Sequence, residues 1–308
     1  MGIVVIGAVF IDIKGFPDGI YIPDGRNSGR IEYIHGGVSR NVVEDIANME
    51  LRPTFVSSVD DSPFGMDVMR KLKDHKVNTD YISVVPDSMG TWLAVFDHNG
   101  DLAGSISKRP DHSPIMQILE EKGDEIFASA DSVILQADLR ADIVKRVFKL
   151  AKKYNKKMYA LVSNMQLATE RRDFVQQFDC FICNQREAEQ LFIEDYENKT
   201  IEELMPLIQK KVKRANISSM VVTLGEKGAV YVDYDGNVGF SPAKKVKVQD
   251  TTGAGDAFCA GVVSGLTYGK PLKEAVEIGT VLAASVITSS ENVCPRFLPG
   301  EFGIMVEE

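Results

Sequence analysis

Apolar and polar positions along this chain follow two rhythms. Residues 3–10, 132–136, 158–162, 179–183 and 220–224 are short, nearly continuous apolar runs, the pattern of strands covered on both faces. Between them, apolar positions recur at helical spacing. Val38, Val42, Val43, Ile46 and Ala47 form one stripe, and Ile143, Val144, Val147, Phe148 and Ala151 another, within predicted helices opening near Gly36 and spanning 141–154. A further helix is predicted over 200–214, and Lys245 to Val248 alternates as a strand. Strands alternating with helices predict an α/β chain whose mostly parallel sheet is covered on both faces.

Two stretches break the rhythm. Residues 13–35 are rich in Gly, Pro, Asp and Asn around an alternating piece, Arg30 to Ile34, which reads as a hairpin excursion. Residues 81–83 and 90–96 add β-like pieces, and Asp97-His98-Asn99-Gly100 is a hairpin turn. With no internal repeat, low-complexity tract or linker, the chain reads as a single domain, residues 1–308, with β segments inserted near 13–35 and 90–106.

The net charge of −9 over 308 residues argues against nucleic acid as a partner. No apolar run is long enough to span a bilayer, and the start, Met1 to Ile6, lacks a signal peptide's basic end and long apolar stretch. The expectation is a cytoplasmic protein without a membrane partner. Cys180 and Cys183 form a C-x-x-C, but on a strand positions three apart face opposite sides, and no second pair follows at zinc spacing. Both read as core cysteines of a reducing compartment.

The chemistry concentrates at Asp250-Thr251-Thr252-Gly253-Ala254-Gly255-Asp256-Ala257-Phe258. Apolar residues at helical spacing follow it, so it is a glycine turn running into a helix. Glycines 253 and 255 let several N–H groups converge where the helix dipole is positive, a place for an anion. Asp256 puts a carboxylate at the mouth of that anion site, the position of a general base for phosphoryl transfer. A Walker loop is excluded because no Gly-Lys-Ser/Thr ends the turn, and a dinucleotide loop because Phe258 replaces the last glycine. Elsewhere, Asp12 is a carboxylate placed at a strand's carboxyl end, where open α/β sheets bind ligands and where turn residues also occur. Asn184 to Glu187 has the spacing of a capping box.

The Asp-Thr-Thr-Gly-Ala-Gly-Asp-Ala-Phe stretch resembles the C-terminal signature of the ribokinase/PfkB family of carbohydrate and nucleoside kinases. Further matches are Gly7 to Asp12, Gly36-Gly37-Val38-Ser39-Arg40-Asn41, Asn184 to Glu187, and Thr223 to Gly228. The resemblance implies a ribokinase-like three-layer α/β/α sandwich with a small β lid over the substrate, and a homodimer formed through that lid. It implies ATP and magnesium as cofactors, and a sugar or nucleoside as acceptor. Asp256 becomes the base, with Gly253, Ala254 and Gly255 the catalytic turn. Asp12, Gly36, Gly37, Arg40 and Asn41 become substrate contacts. Asn184, Thr223, Gly225, Gly228 and Asn292 become nucleotide contacts, Glu187 organises magnesium through water, and Asp250 and Thr252 hold an activating potassium ion.

Two places depart from the family pattern. Val162-Ser163-Asn164 stands where an Asp-Pro is frequent, and Ser289-Ser290-Glu291-Asn292 where a small glycine-containing segment is. Among acceptors, Gly7 to Gly15, Ser28 to Ile31, Arg40 beside Asn41, and Ser290-Glu291 look closest to the pseudouridine kinase branch. The alternatives are a free-sugar kinase and a non-catalytic sugar- or nucleoside-binding protein on the same fold.

Overall fold

The computed structural model describes residues 2–165, 169 and 172–305; Met1 and residues 306–308, the two ends of the expected domain, lie outside the described residues. In chain order its strands are β1 (Val4–Ile6), β2 (Phe10–Pro17), β3 (Gly29–Gly36), β4 (Thr54–Val59), β5 (Ile82–Val84), β6 (Gly90–Phe96) and β7 (Leu102–Lys108). They continue with β8 (Ser132–Gln136), β9 (Lys157–Leu161), β10 (Cys180–Asn184), β11 (Met220–Thr223), β12 (Gly228–Val232) and β13 (Val238–Pro242). The longer helices are α1 (Val38–Asn48), α2 (Pro63–Asp74), α3 (Ser113–Glu121), α4 (Gly123–Ser129), α5 (Ala141–Tyr154), α6 (Gln185–Phe192), α7 (Ile201–Arg214), α8 (Ala254–Thr267) and α9 (Leu272–Ile287).

Nine strands form the main sheet, in the order β13-β12-β11-β10-β9-β8-β1-β4-β5. From β11 to β5 neighbours run parallel, and β12 and β13 add an antiparallel edge. Alternation along each strand divides the core in two. Val4, Ile6, Val133, Leu135, Phe181 and Cys183 join one apolar cluster with α3 to α7. Val5, Ile134, Tyr159, Cys180, Ile182 and Val221 join another with α1, α2, α8 and α9. This gives three layers, and Cys180 and Cys183 lie on opposite faces with their thiols pushed up by burial.

A second, four-stranded sheet has the order β3-β2-β6-β7. It draws on the two inserted segments: β2 and β3 pair as a long hairpin, and Asp97 Oδ1 accepts from the Asn99 and Asp101 N–H groups in the turn joining β6 and β7.

Three expectations change. The apolar run over residues 3–10 is not one strand: after β1, the Ala8 N–H donates to the Gln136 side chain at 3.0 Å instead of a sheet partner, and the chain re-enters as β2 in the other sheet. Asp12 therefore stands inside β2 and not just past a strand end. The β-like piece near residues 81–83 is β5, which extends the main sheet beside β4. Lys245 to Val248 is not a strand; its side chains are exposed, so the alternation has no core face to serve, and the chain is next anchored where the Gln249 N–H donates to the Ile287 carbonyl at 2.8 Å.

Candidate active site

The candidate residues gather along the carboxyl ends of the main-sheet strands, where open α/β sheets form their ligand crevice. α8 opens at Gly253, whose φ of 80° lies in the left-handed region. A Cβ there would also sit 2.0 Å from the Asn292 carbonyl oxygen, so only glycine lets the segment around Asn292 close against the turn. A helix leaves its first N–H groups without intrahelical acceptors, and here those of Gly255 and Asp256 are available to an anion.

Asp256 sits on that first turn. The Asn41 side-chain N–H donates to Asp256 Oδ2 at 2.7 Å. Burial pushes the Asp256 carboxyl up to about 7; the Asn41 hydrogen bond and the Arg40 charge oppose this, and the Glu187 carboxylate adds to it. A carboxyl held near neutrality suits a general base.

Asn41 is oriented by a relay. Asn292 Nδ2 donates to Asn41 Oδ1 at 3.3 Å and to the His35 carbonyl at 3.0 Å, which leaves the Asn41 amide N–H groups for Asp256. Arg40 donates to Asn292 Oδ1 at 3.4 Å, to the His35 carbonyl, and to Glu44 in a fully buried ion pair. Arg40, expected among the substrate contacts, is thus buried, and its guanidinium is largely engaged by protein. Asn292, placed with the nucleotide contacts by sequence, has its side chain with Arg40 and Asn41 instead, because the close approach of its backbone to Gly253 carries it to that side of the turn.

Asp12 lies across from this relay. A Cβ at Gly36 would fall 2.6 Å from Asp12 Oδ1, so glycine makes room for the carboxylate. Burial raises the Asp12 carboxyl, while Lys14 and Arg40 pull it down. Lys14, Arg40, Asp250, Thr252 and Asn292 share a cavity of about 380 Å³. The Thr252 N–H donates to Asp250 Oδ1 at 2.8 Å and holds that carboxyl below its ordinary range.

The remaining candidates form a second group further along the sheet edge. Asn184 and Thr223 are register partners on β10 and β11, and Gly225 and Gly228 bound the single turn between β11 and β12. Asn184 and Glu187 make a full capping box: Asn184 Oδ1 accepts from the Glu187 N–H at 2.9 Å, and Glu187 Oε2 from the Asn184 N–H at 2.7 Å. The cap leaves one Glu187 oxygen uncommitted. Burial raises the Glu187 carboxyl, the Asn184 N–H lowers it, and the Asp138 charge raises it further.

Asp138, two residues beyond β8, escaped the sequence reading. Its carboxylate accepts from the Ser163 N–H at 3.0 Å, from Ser163 Oγ at 2.6 Å and from Gln136 Nε2 at 3.2 Å. Gln136 Oε1 in turn accepts from Ser39 Oγ at 2.9 Å and from the Ala8 N–H at 3.0 Å, tying the ends of β1, α1, β8 and β9 together. Within the Val162-Ser163-Asn164 departure, a carboxylate thus reaches Ser163 from the neighbouring strand. The only sequence signal was an aspartate just past an apolar run.

Residues 2–294 match the pfkB family of carbohydrate kinases. The chain is 36% identical over 295 residues to a guanosine-inosine kinase of Exiguobacterium acetylicum, covering 94% of this chain and 95% of that protein. It is 23% identical to the pseudouridine kinase of Escherichia coli, covering 89% of this chain and 86% of that one. Among solved structures, Arabidopsis thaliana ribokinase complexed with ribose and ATP superimposes with a TM-score of 0.81 at 21% identity, over 96% of this chain and 95% of that one.

Proposed function

Since the chain belongs to the pfkB family of carbohydrate kinases and is a sugar or nucleoside kinase, we propose that it transfers the terminal phosphoryl group of ATP to the hydroxymethyl group of a nucleoside. The observation that carries the proposal is the Asn41–Asp256 hydrogen bond at the mouth of the glycine turn. In this reading Asp12 and Asn41 hold the acceptor's ribose hydroxyls. Asp256 takes the proton of the attacking hydroxyl as its oxygen bonds to phosphorus and the bond from phosphorus to the ADP oxygen breaks. The N–H groups of Gly255 and Asp256 receive the charge that builds on the phosphoryl oxygens, and positioning does most of the rest. Asn184, Thr223, Gly225 and Gly228 carry the nucleotide.

The residues fit a magnesium ion: Glu187 keeps an oxygen free, Asp138 adds a second carboxylate nearby, and magnesium takes few protein carboxylates and several waters. When bound it supplies positive charge to the phosphate oxygens in a site otherwise dominated by carboxylates. A potassium ion at Asp250 and Thr252 would act in the same sense.

The 36% identity to a guanosine-inosine kinase favours a purine nucleoside as acceptor over pseudouridine, whose kinase is matched at 23%. The test is ADP release and product analysis with ATP, magnesium and guanosine, inosine, pseudouridine or ribose. Phosphorylation of a nucleoside is expected, with kcat falling about 10²–10⁴-fold in Asp256→Asn. Turnover of ribose alone would make the protein a free-sugar kinase. Ligand-induced thermal stabilisation without ADP release from any acceptor would make it a binding protein.

A further inference from the structure

The small sheet carries the chain's single tryptophan beside its acceptor-binding candidate. β2 and β6 run parallel with Asp12 in register with Trp92, and β2 and β3 pair Asp12 with Ile34. Register partners share a face, so Ile34, Asp12 and Trp92 form one row across the sheet. Lys14, two residues on from Asp12 and therefore on the same face, lines the cavity that holds Asp250 and Thr252, as does Ile34. The Lys14 charge acts on Asp250 and the Arg40 charge on Asp12, so the face that bears the indole is the one turned toward the site.

Trp92 does not serve either core. It is half-buried, and neither of the two apolar clusters of described residues includes it. A core explanation for the largest aromatic side chain in the protein is therefore missing, while a site explanation is at hand. A nucleoside carries its vicinal hydroxyls and its base on neighbouring ring carbons. A hydroxyl anchor and a base platform must then be close neighbours, and adjacent strands set Asp12 and Trp92 side by side in register, at the usual strand spacing of ~4.8 Å. The rest of the row is apolar or small, with Ile34 on one side and Ser107 on the other.

We infer that Trp92 is the platform on which the acceptor's nucleobase stacks, and that it sets the preference for a nucleoside over a free sugar. This rests on the nucleoside reading above. Stacking needs only a π face, so the residue selects for the presence of a base more than for its identity, which hydrogen-bonding groups must read.

Trp92 is the only tryptophan, so its emission reports directly on the site. Titration of Asp256→Asn with guanosine or inosine should quench that emission saturably, and ribose should leave it unchanged. Trp92→Leu should raise the KM for the nucleoside about tenfold with kcat little altered, and Trp92→Phe should stay within about threefold of wild type. Phosphorylation of ribose, measured as kcat/KM, should be equal in all three. Nucleoside turnover by wild type with an unchanged KM in Trp92→Leu overturns the inference. So does an equal loss toward nucleoside and ribose, which would mean a structural role in the sheet. Wild type that phosphorylates ribose and no nucleoside removes the nucleoside reading and this inference with it, an outcome distinct from the other two.

Discussion

Asn41 and Asp256 lie 215 residues apart in the chain and meet across the site at 2.7 Å. The contact joins the first turn of α1 to the first turn of α8, so the residue proposed to hold the acceptor also bears on the state of the proposed base. Asn41 can donate to a carboxylate with either amide hydrogen, and Asn292 occupies its oxygen. The hydrogen bond therefore favours the ionised form of Asp256 and works against the burial that raises it.

The pH dependence of kcat/KM follows. A base must be deprotonated, so the rate should climb with pH and level off above an inflection near 7, where Asp256 titrates in the free enzyme. Asn41→Ala removes the contact that lowers Asp256, so the inflection should move upward. At pH 6 the variant should lose at least about tenfold in kcat/KM, and part of that loss should return at pH 8.5. A uniform loss at every pH would confine Asn41 to holding the acceptor.

Arg40 and Glu44 form a buried ion pair beneath the same relay. Burial works to raise the Glu44 carboxyl, yet Arg40, with Lys71 and His75, holds it below its ordinary range. Removing one partner strands the other, which costs roughly 3–5 kcal/mol, whereas removing both leaves a shape that apolar side chains can fill. Arg40→Leu should therefore lower Tm by roughly 5–8 °C, and Arg40→Leu/Glu44→Leu by clearly less. Both variants should lose activity, because Asn292 loses a hydrogen bond from Arg40 in each. Equal Tm losses in the single and double variants would show that Lys71, 3.3 Å from Glu44, already suffices as partner.

The layers and the gathering of much of the candidate site were legible in the sequence for a simple reason. Apolar runs and helical stripes report burial, and residues such as Val42, Val43 and Ile46 have no other use. The glycine turn was legible because the left-handed torsion at Gly253 and the close approach of Asn292 both demand the same residue type. What stayed hidden depends on contacts between distant segments. The run over residues 3–10 is apolar throughout, and only Gln136, 128 residues beyond Ala8, draws the chain away from the sheet. Arg40 reads as a substrate contact beside Asn41, and only the geometry of the fold buries it against Glu44. Asp138 is one aspartate among many until Ser163 and Gln136 converge on it. Trp92 acquires meaning only once the strand register puts it beside Asp12.

Asp45, one residue on from Glu44, offers a test on stability instead of rate. Its side chain is fully buried, and the Cys294 N–H donates to Oδ1 at 2.6 Å while Oδ2 has no partner. Burial pushes this carboxyl well above the ordinary range; the Cys294 N–H opposes that, and the nearby Asp256 charge adds to it. The sign of the linkage follows from the raised value. Above the ordinary carboxylate range the unfolded chain has released this proton and the folded protein keeps it, so the folded state binds more protons and stability falls as pH rises. Asp45→Asn cannot titrate, and its carbonyl oxygen can still accept from the Cys294 N–H. Whatever the gap between variant and wild-type Tm at pH 5, it should shift steadily in the variant's favour up to pH 8. Asp256 titrates in both proteins and cancels from the difference to first order. Parallel Tm curves across that range would mean that Asp45 is already ionised in the folded protein, and that the group keeping Asp256 company at the head of α8 is a charge and not a neutral acid.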